Sequence, residues 1–228
     1  MVYDLLKLRY QGTTELMADL KLREDAYNQI RLSVGAVSVI TKGGIAYSAK
    51  LPSNNLIFPT TLAVKRNESA VVTFDFLVGE SLHTTGSGEY ILSPVVHVNV
   101  TGQIQTLELR GKVIDIVTGI SKFDAKFGMD EMGSIGVGNR IDPSATVQIV
   151  RNLFVIIPKN IDKANLKISA EQAIDTALAS KYITLIYTVR AVIKDGKTAW
   201  ELIGVQAGKP TRVYINATDG LLISAELQ

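Results

Sequence analysis

Cysteine is absent from the 228 residues. Disulfides, thiolate nucleophiles and cysteine-ligated metals are therefore excluded, although this absence does not fix a compartment. Histidine is scarce too: His83 and His97 are the only two. A zinc centre would need carboxylates such as Asp75 or Glu80 beside them, and two surface histidines are the simpler expectation. Aromatic residues make up 7% of the chain, with a single tryptophan. No apolar run approaches the roughly 18 residues of a membrane-spanning helix, and the longest, 153–157, is strand-sized. Neither sign of charge dominates, since the formal net charge is +2 with acids and bases interspersed. The basic face that nucleic-acid binding requires is not visible.

What is present is an ordinary globular composition, 46% hydrophobic. The length suits two modest domains or one large all-β domain, and a core of this size folds without metals or cross-links. Folded-looking sequence follows Met1 directly. Two options follow: a cytoplasmic protein, or an exported one whose leader was removed before the first residue.

Through residue 118 the texture is β. In 29–34, Ile30, Leu32 and Val34 alternate with Arg31 and Ser33, the period of a half-buried strand. Residues 36–40 continue apolar before the turn Lys42-Gly43-Gly44. Residues 62–65 and 71–77 read as a hairpin around Arg66-Asn67-Glu68, with Val72, Phe74 and Phe76 on one face. Residues 90–100 form a strand interrupted by Pro94, which marks an edge or bulge. Residues 104–109 and 112–117 pair across Arg110-Gly111. Short strands at this spacing predict a β-sandwich over 1–118, with one early helix at 14–22.

Glycines at 119, 128, 133, 136 and 138, followed by Pro143, read as an irregular connector with a short helical piece at 123–127. Residues 147–157 then form one long apolar strand, so that 119–158 is connector plus strand. From 159 to 228 the texture is α+β. Ser169 and Gln172 form a capping box. Ala170, Ala173, Ile174, Ala177 and Leu178 make the buried stripe of a helix over 169–179. Strands at 183–193, 200–206 and 212–215 follow, turned at Asp195-Gly196, Ala207-Gly208 and Asp219-Gly220.

Two resemblances rest on particular residues. Asp4-Leu5-Leu6, Tyr27 to Leu32, Lys50-Leu51-Pro52-Ser53, Phe74-Asp75-Phe76 with Ser81, and Gly88 to Val95 occur in an order that resembles domain of unknown function 4382, over about 3–100. The resemblance implies an exported bacterial or archaeal protein, often a lipoprotein, with no assigned activity. The family pattern usually opens with a strand pair upstream of Asp-Leu-Leu. Here only Met1-Val2-Tyr3 precedes it, so the partner strand is expected from 147–157 or from a neighbouring subunit by strand addition. In the tail, Ile168 to Ile174, Ala199-Trp200-Glu201-Leu202 and Val213 to Gly220 resemble the PepSY domain. That likeness implies an envelope or propeptide setting, with a proposed protease-inhibiting or chaperoning role and no defined inhibitory residue.

Other motifs carry little chemistry. Ser87 lies between Gly86 and Gly88 without a Gly-x-Ser-x-Gly elbow, which suits a hairpin turn better than a nucleophile. Gly133-x-x-Gly136-x-Gly138 lacks the Lys-Ser/Thr of a phosphate loop. Asp124, Asp130, Glu131 and Asp142 follow no EF-hand spacing. Asn67, Asn99 and Asn216 head three glycosylation sequons, and Trp200 is expected in the core.

The resulting expectation is a mainly β chain with an α+β tail: an antiparallel β-sandwich followed by a PepSY-like unit of one helix on an antiparallel sheet. The expected setting is extracellular or cell-envelope. The expected function is non-enzymatic protein binding, by edge-strand recognition near Pro94 and at 147–157, with self-association by strand addition as one form. The alternative is modulation of a secreted peptidase through the tail. No catalytic, cofactor-binding or metal-binding residue is assigned, no cofactor is expected, and neither nucleic acid nor a membrane-spanning segment enters the reading.

Overall fold

A computed structural model describes residues 1–142 and 144–227. Pro143 of the expected connector and Gln228 at the end of the expected tail lie outside the described residues. The chain is mainly β, in several largely antiparallel sheets with a few short helices; the exceptions are the parallel pairings of Leu153–Ile157 with Leu185–Lys194, within the sheet expected to be antiparallel, and of Ala46–Lys50 with Tyr90–Leu92. Among the described residues no helix is long and apolar enough to cross a membrane. The chain divides into two compact units, both discontinuous in sequence. One gathers Met1–Gly35, Ser53–Leu82 and Ser93–Arg140; the other gathers Ala36–Pro52, His83–Leu92 and Ile141–Gln228. These bounds differ from a sandwich over 1–118 followed by a connector.

The first unit opens with helix Leu5–Gln11, not a helix at 14–22. Asp4 caps its N-terminus by accepting from the Lys7 amide, and Gly12 ends it in the left-handed region at φ 62°, as the absence of a Cβ allows. The apolar spacing in 14–22 has no such caps, and Thr14–Glu15 is a short strand there. The main sheet is built on one long hairpin, Val95–Arg110 with Val113–Met129. Strand Ala70–Phe76 borders it on one side, and Thr14–Glu15 and Ile135–Val137 on the other. A second sheet contains only Asp25–Ser33 and Asn55–Val64. The expected hairpin around Arg66-Asn67-Glu68 is thus a crossover, because its two strands belong to different sheets. Asn67 does turn the chain, at φ 60°.

Both sheets contribute to one core. Leu56 and Phe58 meet Val96, Val98, Phe127 and Met129, with Leu32, Val72, Phe74 and Phe76 packed around them. Phe58 sits 5.3 Å from Phe74 and 6.0 Å from Phe127, distances typical of favourable aromatic pairs. The expected connector is for the most part strand. Residues 120–128, including the supposed helix at 123–127, pair with Val95–Gly102. The glycines here serve close approach. A Cβ on Gly128 would lie 1.7 Å from the Asn139 carbonyl oxygen, and one on Gly119 2.7 Å from that of Gly102.

The second unit contains a six-stranded sheet and a four-stranded one. The four-stranded sheet is ordered Val37–Ile40, Ala46–Lys50, Tyr90–Leu92, Leu82–Thr84. Pro94 therefore does not interrupt a single strand: Tyr90–Leu92 and Val95–Arg110 belong to different sheets. The expected strand 147–157 is instead a hairpin, Thr146–Val150 with Leu153–Ile157. Arg151 and Asn152, at φ 50° and 65°, form its turn, in the left-handed conformation that two-residue hairpin loops demand. It continues through Leu185–Lys194, Lys197–Gln206, Lys209–Asn216 and Leu222–Leu227 to complete the six.

Helix Ala170–Ala179 covers one face of that sheet, and its capping box is formed in both directions. Ala170, Ala173, Ile174 and Ala177 are buried against Val189, Trp200, Leu202, Val213 and Ile215. Leu178, assigned to the stripe from its spacing, is 40% exposed. Trp200 is core as expected, and its indole N–H donates to the Ile168 carbonyl at 3.1 Å. The strands of the helix-and-sheet tail and their turns follow the expected order, with Leu222–Leu227 added beyond Asp219-Gly220.

Candidate functional site

In the first unit the prominent feature is backbone left without a strand partner at the sheet edges. Strands Asp25–Ser33 and Asn55–Val64 pair only with each other among the described residues. Leu56 and Phe58 on the inner strand are fully buried, whereas Tyr27, Ile30 and Leu32, on the same core face of the outer strand, are only half-buried. The core is therefore less covered toward the outer edge of Asp25–Ser33. That edge carries no proline. Gln29 faces Pro59 in the ladder, and proline has no N–H to exchange. Gln29 and Pro59 therefore form a non-hydrogen-bonded pair, and the amides of Gln29 and Arg31 point to the open side.

A second open edge lies on the long hairpin. Strand Ala70–Phe76 pairs with its first strand only as far as Gly102. Beyond it, residues 103–110 keep a partner on one side only, across the hairpin. Gln103 at φ 49° and register shifts at Thr118/Ile120 and Ser121/Phe123 break the regular ladder where this arm begins. Leu107 and Leu109 are 43% and 47% exposed, on the arm face opposite Thr106, Glu108 and Arg110. Arg110 pairs with Asp115 at 2.9 Å.

In the second unit the sheet face away from the helix carries a polar row that the sequence reading did not find. Arg190, Glu201, Tyr214 and Ser224 lie side by side across four strands. The Glu201 side chain is 3% exposed. One of its oxygens accepts from Arg190 Nε and Nη2 at 3.0 and 2.6 Å, the other from the Tyr214 hydroxyl at 2.9 Å. Arg212 stands 3.5 Å away. Burial, then the hydrogen bond to Glu201, raise the Tyr214 pKa above its ordinary value. With both oxygens engaged, the carboxylate acts as a structural tie between strands rather than a free base. The register pairing Arg190 with Glu201 could have signalled this row, but it depends on pairing that only the fold supplies.

The remaining sequence candidates scatter. His83 is buried rather than at the surface, its Nε2 has no partner among the described residues, and burial lowers its pKa. His97 is exposed and meets Asp124. Asp75 sits beside His97 in the ladder, and Glu80 pairs with Lys126 at 2.8 Å. Among the described residues no group of three or more histidines and acids is placed to hold a metal. Asp130 accepts from the amides of Met132 and Ser134, closing the turn that contains Gly133, and Ile135–Val137 returns as a strand, so the glycine run is a hairpin. Asp142 accepts from Ser144. Ser87 donates to Glu89 at 3.0 Å inside a turn and lines a shallow depression of about 290 Å³ with Tyr47 and Tyr90. Of the sequons, Asn67 is at a turn, Asn99 is half-buried in a strand and Asn216 ends one.

Residues 1–94 match the family described as a domain of unknown function, DUF4382. The match takes in the outer strand Asp25–Ser33 and stops before the long hairpin. Searches among curated proteins and among solved structures gave no match.

Proposed function

We propose that this chain is an exported cell-envelope protein that works as a non-enzymatic protein-binding module, by strand addition at the outer edge of Asp25–Ser33. The supporting observation is the two-stranded sheet itself. A two-stranded pairing is marginal alone, and here its outer strand leaves core-facing Tyr27, Ile30 and Leu32 half-covered beside unpaired amides. A third strand would satisfy those amides and extend the covered face. This edge replaces the neighbourhood of Pro94 and residues 147–157 as the favoured binding place. The export half of the reading rests on the resemblance over 1–94.

The test is a substitution that removes the edge donor while sparing the internal ladder. Gln29→Pro deletes an amide on the open side. Binding of extracellular proteins, or of further copies, to the immobilised chain should drop sharply in this variant. Capture that is indifferent to the substitution would sink the reading, as would no binding at the highest soluble concentration.

A second reading is favoured by the helix-on-sheet tail with its closed capping box. In it the PepSY-like tail modulates a secreted peptidase. Adding the full chain to a panel of secreted metallopeptidases should then lower the activity of one or more, and an unchanged panel would count against it.

A further inference from the structure

The outer edge of Asp25–Ser33 is complementary to itself. Gln29 faces Pro59 without exchanging hydrogen bonds, and at the other end of the ladder the Val34 amide donates to the Asn54 carbonyl at 2.8 Å. The backbone groups of Ile30, Leu32 and Val34 therefore serve the inner strand, and those of Gln29, Arg31 and Ser33 point to the open side. Side chains alternate in the same phase. Ile30, Leu32 and Val34 are half-buried on the core face, and Gln29, Arg31 and Ser33 are exposed. We propose that the strand added to this edge is the same strand of a second copy, in antiparallel pairing about a two-fold axis at Leu32. The proposal rests on the strand-addition reading above and names its partner.

An identical strand fits because its phase is identical. In an antiparallel ladder, residues whose backbone groups cross the gap stand opposite one another and share a face. Gln29, Arg31 and Ser33 of the two copies can therefore pair only among themselves, and this sets core residues against core residues. The centre is selected by what it places opposite. At Gln29 or Ile30 the pairing runs through the ladder irregularity between Tyr27 and Gln29 and sets a core residue against Asn28. At Arg31 it opposes two arginines, and at Ser33 it places Ile30 against Ala36, outside this unit. At Leu32 the core face pairs Leu32 with Leu32 and Ile30 with Val34, while the solvent face pairs Arg31 with Ser33. Leu32 and Val34 already pack on the core of Leu56 and Phe58, so the joined sheet extends that core across both copies. Each copy uses its only copy of this edge, and the assembly closes as a dimer.

In analytical ultracentrifugation the wild type should pass from monomer to dimer, and no further, as its concentration rises. Ser33→Glu should tighten the dimer roughly tenfold, because an acid then faces Arg31 of the other copy twice per dimer, and Ser33→Arg should weaken it by a similar factor. Ser33 is exposed, and opposite shifts at one position cannot come from unfolding. The absence of cysteine allows the register to be read directly. Arg31 of one copy and Ser33 of the other would have Cα atoms about 5.5 Å apart, within disulfide reach. Arg31→Cys mixed with Ser33→Cys under mild oxidation should give a dimer cross-linked between the two variants. Either variant alone should cross-link several-fold less, since identical positions then lie diagonally, about 7–8 Å apart. A wild type that stays monomeric, open-ended assembly, Ser33 variants that shift the dimer in the same direction, or a mixture that cross-links no better than its components each overturn the proposal. If self-association fails while some other protein binds in a Gln29-dependent manner, the edge takes a foreign strand and the strand-addition reading still stands.

Discussion

The two units are built from the same materials and treat sheet edges differently. In the second, a six-stranded sheet carries a helix on one face and ends in short strands, Thr146–Val150 and Leu222–Leu227. In the first, a long hairpin outruns its neighbour at Gly102, and the opposing sheet stops at two strands. Exposed, proline-free edges are what natural sheets normally blunt with short strands, charge or bulges. The six-stranded sheet ends in strands of five and six residues, Thr146–Val150 and Leu222–Leu227, whereas the first unit leaves longer edges open at Asp25–Ser33 and along 104–110. The contrast is the reason the proposed binding edge is sought in the first unit.

The sharpest way to break that comparison is to probe how thin the first core is. Phe58 is fully buried, contacts two further aromatic rings, and joins the two-stranded sheet to the main one. Phe58→Ala is expected to cost about 3–5 kcal/mol, measured by denaturant unfolding, and to abolish association at the outer edge of Asp25–Ser33 along with the sheet that forms it. A smaller loss, or association that survives it, would mean that the two-stranded sheet does not depend on this core.

A second substitution sharpens the other side. Glu201→Gln keeps the shape of the buried tie in the tail and removes its charge. Arg190 and Arg212, 35% and 38% exposed, would then face each other without their acid. Because water reaches both guanidiniums, the expected loss is about 1–3 kcal/mol rather than the full cost of an orphaned buried charge. Binding at the outer edge of Asp25–Ser33 should be unchanged. If it fell with the tail's stability, that edge would depend on the tail.

Legibility in the sequence followed the same division. The tail could be read because its signals are local: Ser169 and Gln172 three residues apart, a 3.6-residue stripe, and Asp195-Gly196 and Ala207-Gly208 between alternating runs. Each was found in the structure as a cap, a packed face or a hairpin turn. The first unit depends on pairings between residues far apart. Val72, Phe74 and Phe76 were correctly placed on one face, yet their partner is Val95–Gly102 rather than the nearby 62–65. Gly119 and Gly128 looked like loop punctuation, but in strands they permit backbone approach. Arg151-Asn152 made a turn without glycine, so two strands passed for one. The open edges, which carry the functional reading, are defined by absent neighbours, and no local pattern encodes an absence.

The smallest expected effect concerns the two histidines, which divide between the units. His97 is exposed in the first. His83, in the second, is buried, and desolvation lowers its pKa below the ordinary value near 6.5. The unfolded chain therefore takes up a proton at His83 before the folded one does. The stability that follows from neutral His83 is complete above about pH 6.5 and is lost as pH falls from there through the folded pKa. Asp175 titrates in a separate, lower window. Its pKa is depressed by hydrogen bonding to Arg151, so its contribution is present above the ordinary carboxylate value and lost as pH falls through its own. Thermal unfolding between about pH 5 and 7 should show a decline in the wild type that flattens in His83→Leu, which fills the site without titrating. An equal decline in both proteins would show that His83 is not the group responsible, and a flat wild-type profile would show that its burial does not penalise the charged form.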